Sequence, residues 1–501
     1  MNRRSFLKMS GMAGLAWVGD LAFLSKLRPV SAAEAKLPSK LVQLHPEIEP
    51  LVKLLEDSPR EKVLEEVASR IRKGLSYQQL LAALLLAGVR NIQPRPVGFK
   101  FHAVLVVNSA HLASLASPNQ DRWLPIFWAI DAFKNSQAAD VREGDWAMGA
   151  VDESAIPSSH TARQAFIEAM DTWDEPAADV AIVGLARTAP AHEIFEILCR
   201  YGVRDFREIG HKQIYLANSF RTLEAIGWQH AEPVLRSLAY AMLDRDGSKE
   251  NPAKADLAAD RPYRRNIELV KKINDGWRDG KSDPDGTKQM LMAIRDGSDN
   301  DCADRAIELL NRGVSVESIQ DAIFDGAGEL LMRAPGILSL HATTFTNAVH
   351  YAFNRCRDDQ TRKLMLLQNA SFLPRFRGNS KDKGIHIDTM EPAAPEKSGP
   401  AAIEEIFADM SKVKLSAAKK MLGYLKDGGD TRSLADAARR LIFLKGRDSH
   451  DYKFSSAVLE DYAAMNPPWR DRYLAASAFY LKGSGDKDND LVKRIRAAVA
   501  G

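Results

Sequence analysis

Apolar residues recur at spacings of three and four along most of the chain, which is the period of an amphipathic helix. Five long segments with this pattern are also rich in Ala, Leu, Glu and Arg, which favour helices: 60–90, 159–173, 176–201, 211–243 and 302–333. The two-residue alternation of a half-buried strand is scarce. The sequence therefore predicts an all-α fold.

Turn-forming and linker-forming residues interrupt these helices and indicate how the chain is divided. Breaks rich in Pro, Gly or Asp fall at 94–96, 244–262 and 279–286. The stretch 378–400 is polar and contains many Lys, Pro and Gly residues, which is typical of a flexible linker. We expect a helical domain over 34–378, a linker over 379–400 and a smaller helical region over 401–501.

Two of the predicted helix pairs repeat the same polar positions. Gly74 and Gly313 each open a Gly-x-Ser segment that begins a helix, and a His follows 28 residues later in both copies. Each of these His begins an apolar helix with an Asn six positions and a second His nine positions further on. The residues are His102, Asn108 and His111 in the first copy, and His341, Asn347 and His350 in the second.

A weaker third copy lies between these two. The segment 193–202 resembles the first helix, and Lys212 is followed by Asn218 and Arg221 at the same spacings. Lys and Arg stand at the two His positions of this copy, although His211 is adjacent. We expect repeated helix pairs that pack as a pseudo-symmetric bundle.

The histidines in and beside these helices are candidate metal ligands. Their neighbours are apolar, which predicts burial, and neutral imidazole is the commonest metal ligand in proteins. The alternative is an ordinary core residue whose two ring nitrogens are satisfied by hydrogen bonds. We expect three to five of the following six to share a site: His102, His111, His211, His230, His341 and His350.

Helix geometry limits which of these histidines can meet. Nine positions of a helix rotate a side chain by about 900°, so the two His of one copy point to opposite faces. One member of each pair can face a shared site while the other faces the core or a second site. His102 and His341 also stand near helix N-termini, where a bend in the chain can aim the imidazole.

Two other polar groups are weaker candidates. His192, Glu196 and Cys199 stand at i, i+4 and i+7 on one helix face, which fits either a metal site or a salt-bridged core face. His450 precedes an amphipathic helix that we expect Asp451 to cap, and from there its ring could reach back to the first domain.

The first residues predict export. Arg3 and Arg4 are followed by Ser-Phe-Leu-Lys, which is close to the full twin-arginine pattern, and then by an apolar stretch and small residues. This order is typical of a signal peptide, here 1–33, that directs a folded protein to the twin-arginine export machinery. A membrane anchor is the alternative, but the apolar run is short and contains Asp20. We expect a periplasmic or otherwise extracytoplasmic protein.

Charge and missing motifs exclude several functions. Residues 1–33 carry a net charge of +4 against +3 for the whole chain, so the remainder is near neutral at −1. We therefore expect no nucleic-acid binding and no membrane span in the mature chain. Three cysteines are too few for a disulfide framework. The usual motifs for nucleotides, flavins, serine hydrolases and c-type haem are absent from the sequence.

Two segments carry a resemblance to a known family. Leu340–His350, with its His-Ala-Thr-Thr start and Asn-Ala-Val-His end, is similar to part of the questin-oxidase-like family, as is Phe101–Leu105. The similar portion covers 98–115 and 335–375. It does not include the export signal or the region 401–501.

The resemblance implies an all-α oxygenase that acts on polycyclic aromatic substrates. It also implies non-haem iron held by several His and, in at least some members, by a carboxylated lysine. His102 and His341 are the positions carried over most directly. Lys212 is of interest as the modified lysine because it replaces His in the third copy.

The leading hypothesis is an exported, metal-dependent oxidoreductase in which a transition metal, with iron favoured, binds O₂ and a small organic substrate. One alternative is a non-catalytic helical-repeat binding or scaffold protein of the cell envelope. Another is an envelope protein that carries a metal without catalysis. Imidazole rings clustered around one point would favour the metal-dependent enzyme, and dispersed rings would favour the scaffold.

Overall fold

The computed structural model describes residues 41–377, 384–467 and 469–500, and in this part of the chain it contains helices and no strands. The isolated β-bridge pairs Lys281 with Val314. The predicted all-α fold is confirmed. The predicted signal peptide at 1–33 and residues 379–383 of the predicted linker lie outside the described residues. Within the described ranges, no helix is both long and apolar enough to cross a membrane.

Among the residues that the structure describes, seventeen α-helices precede the predicted linker. They are α1 (Glu49–Asp57), α2 (Val63–Arg72), α3 (Tyr77–Asn91), α4 (His102–Leu105), α5 (Val107–Ala116), α6 (Leu124–Glu143), α7 (Ala162–Thr172), α8 (Glu175–Thr188), α9 (Ala191–Gly202), α10 (His211–Ile226), α11 (Ala231–Met242), α12 (Arg261–Leu269), α13 (Pro284–Asp296), α14 (Asp299–Asn311), α15 (Val316–Arg333), α16 (Ile337–Arg355) and α17 (Asp359–Arg377).

The described residues after the predicted linker form six further α-helices. They are α18 (Pro400–Met410), α19 (Lys414–Lys426), α20 (Thr431–Lys445), α21 (Ser449–Ala464), α22 (Trp469–Ala476) and α23 (Leu491–Ala500). Short 3₁₀ turns lead into several helices, among them Phe99–Phe101 before α4 and Arg207–Gly210 before α10.

The two Gly-x-Ser segments begin helices for the same physical reason. The side chains of Ser76 and Ser315 each accept a hydrogen bond from the backbone N–H three residues later, so they cap α3 and α15. Two positions earlier, Gly74 and Gly313 have φ of +100° and +90°, a region that disfavours residues with a Cβ. The repeated segments are therefore the same turn used twice.

Helix α16 is surrounded by other helices. It contacts α10, α15, α17 and α21, and its residues from Ser339 to Val349 are all buried. Burial on every side explains why this helix carries so few charges. The polar groups that it does bring into the core therefore need partners inside the protein.

Four helices pack around one axis and position the candidate site. Contacts join α5 to α10, α10 to α16, α16 to α21 and α21 back to α5, which closes a ring of four. The predicted repeats supply α5, α10 and α16, because these helices follow or contain His102, His211 and His341. The fourth member, α21, comes from the region after the linker.

Helices on both sides of the predicted linker thus contact each other directly. Residues from Gln43 onward form one compact unit. The boundaries proposed at 378 and 400 remain a prediction about domain organisation.

Candidate metal centre

Three imidazoles from three separate helices meet at one point. His102 and His211 are the first residues of α4 and α10, and His341 lies in the second turn of α16. The Nε2 atom of His211 is 3.0 Å from Nε2 of His102 and 2.8 Å from Nε2 of His341. These three histidines form a buried group that could hold a metal ion.

The other ring nitrogen of each imidazole is held by the backbone. Nδ1 of His102 is 2.9 Å from the carbonyl oxygen of Phe99, and Nδ1 of His211 is 2.6 Å from that of Glu208. Nδ1 of His341 is 2.6 Å from the carbonyl oxygen of Ile337. Because a carbonyl can only accept, each Nδ1 carries the proton and each Nε2 presents a lone pair to the common point.

Three lone pairs at this distance repel one another unless a cation lies between them. Two ligands at right angles on a metal ion, each with an N–metal distance of about 2.1 Å, are themselves about 3 Å apart. The observed separations of 2.8 and 3.0 Å match that geometry. Burial and the positive charge of Lys453 hold the pKa of all three imidazoles well below the usual value of 6.5, which favours neutral ligands.

The backbone that precedes two of these ligands is strained. Phe99 has φ of +46°, and Glu208 and Ile209 have φ of +53° and +44°, all in the left-handed region. Residues with a Cβ adopt this conformation at a cost of about 1–3 kcal/mol each, and such residues cluster at functional sites. Two of the strained residues carry carbonyl groups that orient the imidazoles. The strain therefore lies in the turns that set the direction of the rings.

A fourth imidazole, that of His450, lies against the group. Its ring centroid is 4.4 Å from that of His102 and 5.2 Å from that of His341. Its Nδ1 is 3.4 Å from the carboxylate of Asp448. Its Nε2 is buried and has no hydrogen-bond partner among the described residues. His450 thus shares the pattern of the other three, with one nitrogen held and the other available.

The cap of α21 differs from the sequence prediction. Asp448, rather than Asp451, is the N-cap, and its side chain accepts hydrogen bonds from the backbone N–H groups of His450 and Asp451. The predicted position was three residues too late. Asp448 therefore both starts the helix and faces the His450 ring.

Lys453 lies one turn beyond His450 and is the most unusual group near the cluster. Its side chain is buried, and its Nζ has no hydrogen-bond partner among the described residues. Burial lowers its pKa to about 7. A buried amine without a partner is costly, and it is readily held in the neutral, nucleophilic form.

Lys212, which the sequence had singled out, is held elsewhere. Its Nζ lies 2.9 and 3.0 Å from the two carboxylate oxygens of Asp205 and 2.9 Å from the carbonyl oxygen of Asp244. The structure thus shows this lysine in a buried ion pair. His211, the residue before it, takes the place equivalent to His102 and His341.

Three of the six predicted ligands do not belong to the group. His111 makes a hydrogen bond of 3.0 Å with the hydroxyl of Tyr77, and His350 one of 3.1 Å with the amide of Asn354. The ring of His230 packs 6.4 Å from that of His45. For His111 and His350 the reason is the helical rotation, which turns them away from His102 and His341.

The weaker His192, Glu196 and Cys199 set does not gather around a point. Glu196 accepts a hydrogen bond from the backbone of Arg357, and His192 is exposed. Burial raises the pKa of the Cys199 thiol well above its usual range, so it stays protonated. Cys302 and Cys356 are also free thiols.

A large cavity opens directly onto the four imidazoles. It has a volume of about 910 Å³, and its wall includes the apolar side chains of Phe99, Trp128, Phe206, Ile209 and Ile337. This volume lies within the range for organic ligands, which is about 300–1,000 Å³. The cavity and the cluster together form a site where an organic molecule can lie next to the imidazoles.

Glu208 adds a titratable group to the cavity wall. Burial, together with the nearby Asp244 and Asp246, raises the pKa of its carboxyl group to about 7. Its backbone carbonyl orients His211, so this residue contacts both the ligand set and the cavity. It can hold or accept a proton close to a bound molecule.

The sequence did not identify His450 and Lys453 as a pair. The available signal was their spacing of three at the start of an amphipathic helix, which places both side chains on one face.

Comparison with known proteins adds no further guide: no protein-family model, no curated protein and no solved structure matches this chain.

Proposed function

We propose that this protein is a metal-dependent oxidoreductase, with iron as the favoured metal, held by His102, His211 and His341. The observation that carries the proposal is the convergence of three Nε2 lone pairs whose Nδ1 atoms are all held by carbonyls. Imidazole suits several transition metals, iron among them. The preference for iron comes from the resemblance to the questin-oxidase-like family.

His450 is a natural fourth ligand. Its Nε2 is buried and unpartnered, and its ring lies within 4.4–5.2 Å of two of the other rings. Asp448 orients it from the Nδ1 side, as carboxylates commonly do for metal-binding His. A metal held in this way would join α21 to the three repeat-derived helices.

Lys453 is the lysine best placed for the carboxylation that the family resemblance implies. Lys212 is already bonded to Asp205, whereas the Nζ of Lys453 lacks a partner and lies where its charge acts on all three imidazoles. The neutral amine would attack CO₂, forming an N–C bond and releasing one proton. The resulting carbamate is an anion, which supplies an oxygen ligand and removes the buried positive charge.

The side chains around the metal provide what an oxygenase site needs. Bound iron would supply the binding and activation of O₂. Phe99, Phe206 and Ile209 give an apolar wall against which an organic substrate can pack. Glu208 lies on the same wall and can exchange a proton with the substrate.

The scaffold alternative explains less of this arrangement. A structural role for the histidines predicts rings that are dispersed through the core and held by hydrogen bonds, as the ring of His111 is by the hydroxyl of Tyr77. His102, His211 and His341 instead present unpaired nitrogens to one another. A non-catalytic metal carrier accounts for the cluster, but a cavity of about 910 Å³ beside the ion favours a reacting substrate.

Elemental analysis of the folded protein, purified without a tag or chelator, tests the metal site. We expect about one iron per chain, and O₂ uptake with polycyclic phenols or quinones as trial substrates. A well-folded protein that contains no transition metal, and that takes none up anaerobically, would contradict the proposal. Metal without O₂ uptake would favour the carrier alternative.

Export through the twin-arginine route remains part of the proposal. The motif at Arg3 and Arg4 supports it, and the route suits a protein that acquires its metal before export. Fractionation of cells that express the full chain should place the protein outside the cytoplasm. Replacement of both Arg3 and Arg4 by Lys should hold it in the cytoplasm with its metal content unchanged.

A further inference from the structure

Lys453 faces a space different from the one that holds the organic substrate. It does not contribute to the described lining of the large cavity but lines a small chamber of about 10 Å³ inside the four-helix bundle. A chamber of this size holds about one water molecule. The imidazoles line the large cavity and do not contribute to the described lining of the chamber.

The chamber repeats the pseudo-symmetry of the ligands. One asparagine from each repeat-derived helix lines it, six or seven residues beyond the ligand His, and Ser456 of α21 completes the set: Asn108, Asn218, Asn347 and Ser456. The four helices therefore run in the same direction, with the histidines in one layer and these small polar residues in the next. An ordinary apolar core in this layer of the bundle would not need these asparagine and serine side chains.

A second pocket opens at the far end of the chamber. It has a volume of about 550 Å³ and shares Asn108, Leu112, Arg221 and Glu460 with the chamber. Its wall contains His111 and His350, the second His of the two sequence repeats. These two histidines thus face a polar space on the opposite side of the bundle from the metal ligands.

Hydrogen bonds connect polar side chains in the walls of the chamber and the second pocket. Arg221 donates to the side chain of Asn347 at 3.1 Å and to Glu460 at 2.6 Å. Asn347 donates to Glu460 at 2.9 Å. Buried polar groups of this kind cost free energy relative to an apolar core, so a continuous polar row along the bundle axis calls for a use.

We propose that the bundle axis is a second entrance to the metal centre, through which CO₂ reaches Lys453 and the released proton leaves. This inference rests on the proposed carboxylation of Lys453. The path begins at the pocket of His111 and His350, passes Asn108 and Asn218, and ends at the amine. The chamber is far too small for the organic substrate, which uses the large cavity that the imidazoles line.

Variants that fill the chamber test the route. Asn108→Leu places an apolar side chain where the chamber and the second pocket meet, and the bond that it removes, to Asn218, is a weak one of 3.5 Å. Ser456→Val narrows the chamber by a smaller change. The matched control is Ser136→Trp, which obstructs the large cavity instead. Lys453→Gln serves as the control without the amine.

The measurement uses full-length, metal-free protein kept free of CO₂ and then mixed with ¹³C-bicarbonate and carbonic anhydrase. The carbamate carbon is followed by NMR, and iron uptake under anaerobic conditions is measured on the same samples. We expect Asn108→Leu and Ser456→Val to form the carbamate about tenfold more slowly, an added barrier of about 1.4 kcal/mol, and Ser136→Trp to match the wild type.

The route would be overturned if the folded chamber variants formed the carbamate at the wild-type rate, or if Ser136→Trp slowed it. Thermal melting of each variant shows that it is folded. If the wild-type protein formed no carbamate, Lys453 would not need a supply of CO₂, and the inference would also be refuted. The iron content of the same samples reports separately on the proposed His site.

Discussion

The Nε2 atoms of His102 and His211 lie 3.0 Å apart, although 109 residues separate the two histidines along the chain. Each ring has its Nδ1 proton bonded to a carbonyl of its own N-terminal turn. Both Nε2 atoms therefore act as acceptors, and a close approach of two acceptors is favourable only when a cation is shared between them. This relationship leads directly to the first expectation.

Replacement of His102 or His211 by Ala should abolish stoichiometric metal binding, because each removes one of three converging lone pairs. His111→Ala is the matched control, because His111 belongs to the same sequence repeat as His102 but hydrogen-bonds to Tyr77. Metal content by mass spectrometry of the purified variants distinguishes them. Full occupancy in His102→Ala would show that the ion is held elsewhere.

The role of His450 can be tested through Asp448. Asp448→Asn should retain the N-cap of α21, because Asn caps helices about as well as Asp, while it removes the carboxylate beside the Nδ1 of His450. We expect metal affinity to fall by about tenfold or more, which is typical when a group that orients a metal-binding His is lost. Competition with a chromogenic chelator measures this change. An unchanged affinity with unchanged melting would exclude His450 as an oriented ligand.

Much of this architecture could be predicted from the sequence, because it depends on local patterns. The period of three and four gave the helices, and the shared offset from Gly74 to His102 and from Gly313 to His341 pointed to equivalent structures. The opposite faces of His102 and His111 followed from helix rotation alone. These are short-range properties that one segment determines by itself.

The register of the third copy depended on backbone conformation and was not predicted. The spacing pattern aligned Lys212 with His102, but left-handed residues at Glu208 and Ile209 lead into a helix that starts at His211. The imidazole, one position earlier, therefore reaches the common point. A spacing rule assumes regular backbone between the motifs, and the strained turn breaks that assumption.

His450 and Lys453 were beyond a sequence pattern for another reason. They lie after the predicted linker, on a helix without the Asn-x-x-His repeat, and come close to His102 only because α21 packs against α5 and α16. A long-range contact of this kind leaves no local periodicity. The sequence could indicate only that a His began an amphipathic helix.

The two buried lysines should respond in opposite ways to replacement by Met. Lys212→Met leaves Asp205 buried without its closest partner, and loss of one member of a buried ion pair costs about 3–5 kcal/mol. Lys453→Met removes an amine with no hydrogen-bond partner, so folding stability should be unchanged or increased. Urea unfolding of the metal-free variants compares the two.

Metal binding should show the reverse pattern for the same pair. Lys453→Met should weaken iron binding, because an anionic oxygen ligand can no longer form, whereas any folded Lys212→Met protein should keep its metal. Elemental analysis on both variants gives the comparison. Iron loss confined to Lys212→Met would instead assign the modified lysine to position 212.

Gly210 provides a test of how closely the turn before His211 sets the ligand position. Gly210 has φ of +85°, and a Cβ there would lie 2.5 Å from Cδ2 of Phe345, the residue four positions after His341. Backbone strain alone should cost Gly210→Ala about 1 kcal/mol of folding stability, and the clash with Phe345 should lower it further. The clash should also shift His211 away from the other imidazoles. Gly428→Ala is the matched control, because Gly428 has φ of +76° and open space around its Cβ position. The control variant should lose only the folding stability that corresponds to the backbone strain, and it should bind iron as the wild type does. Equal metal affinity and equal melting temperatures for the two variants would show that the turn tolerates movement and that His211 is not fixed by its packing on Phe345.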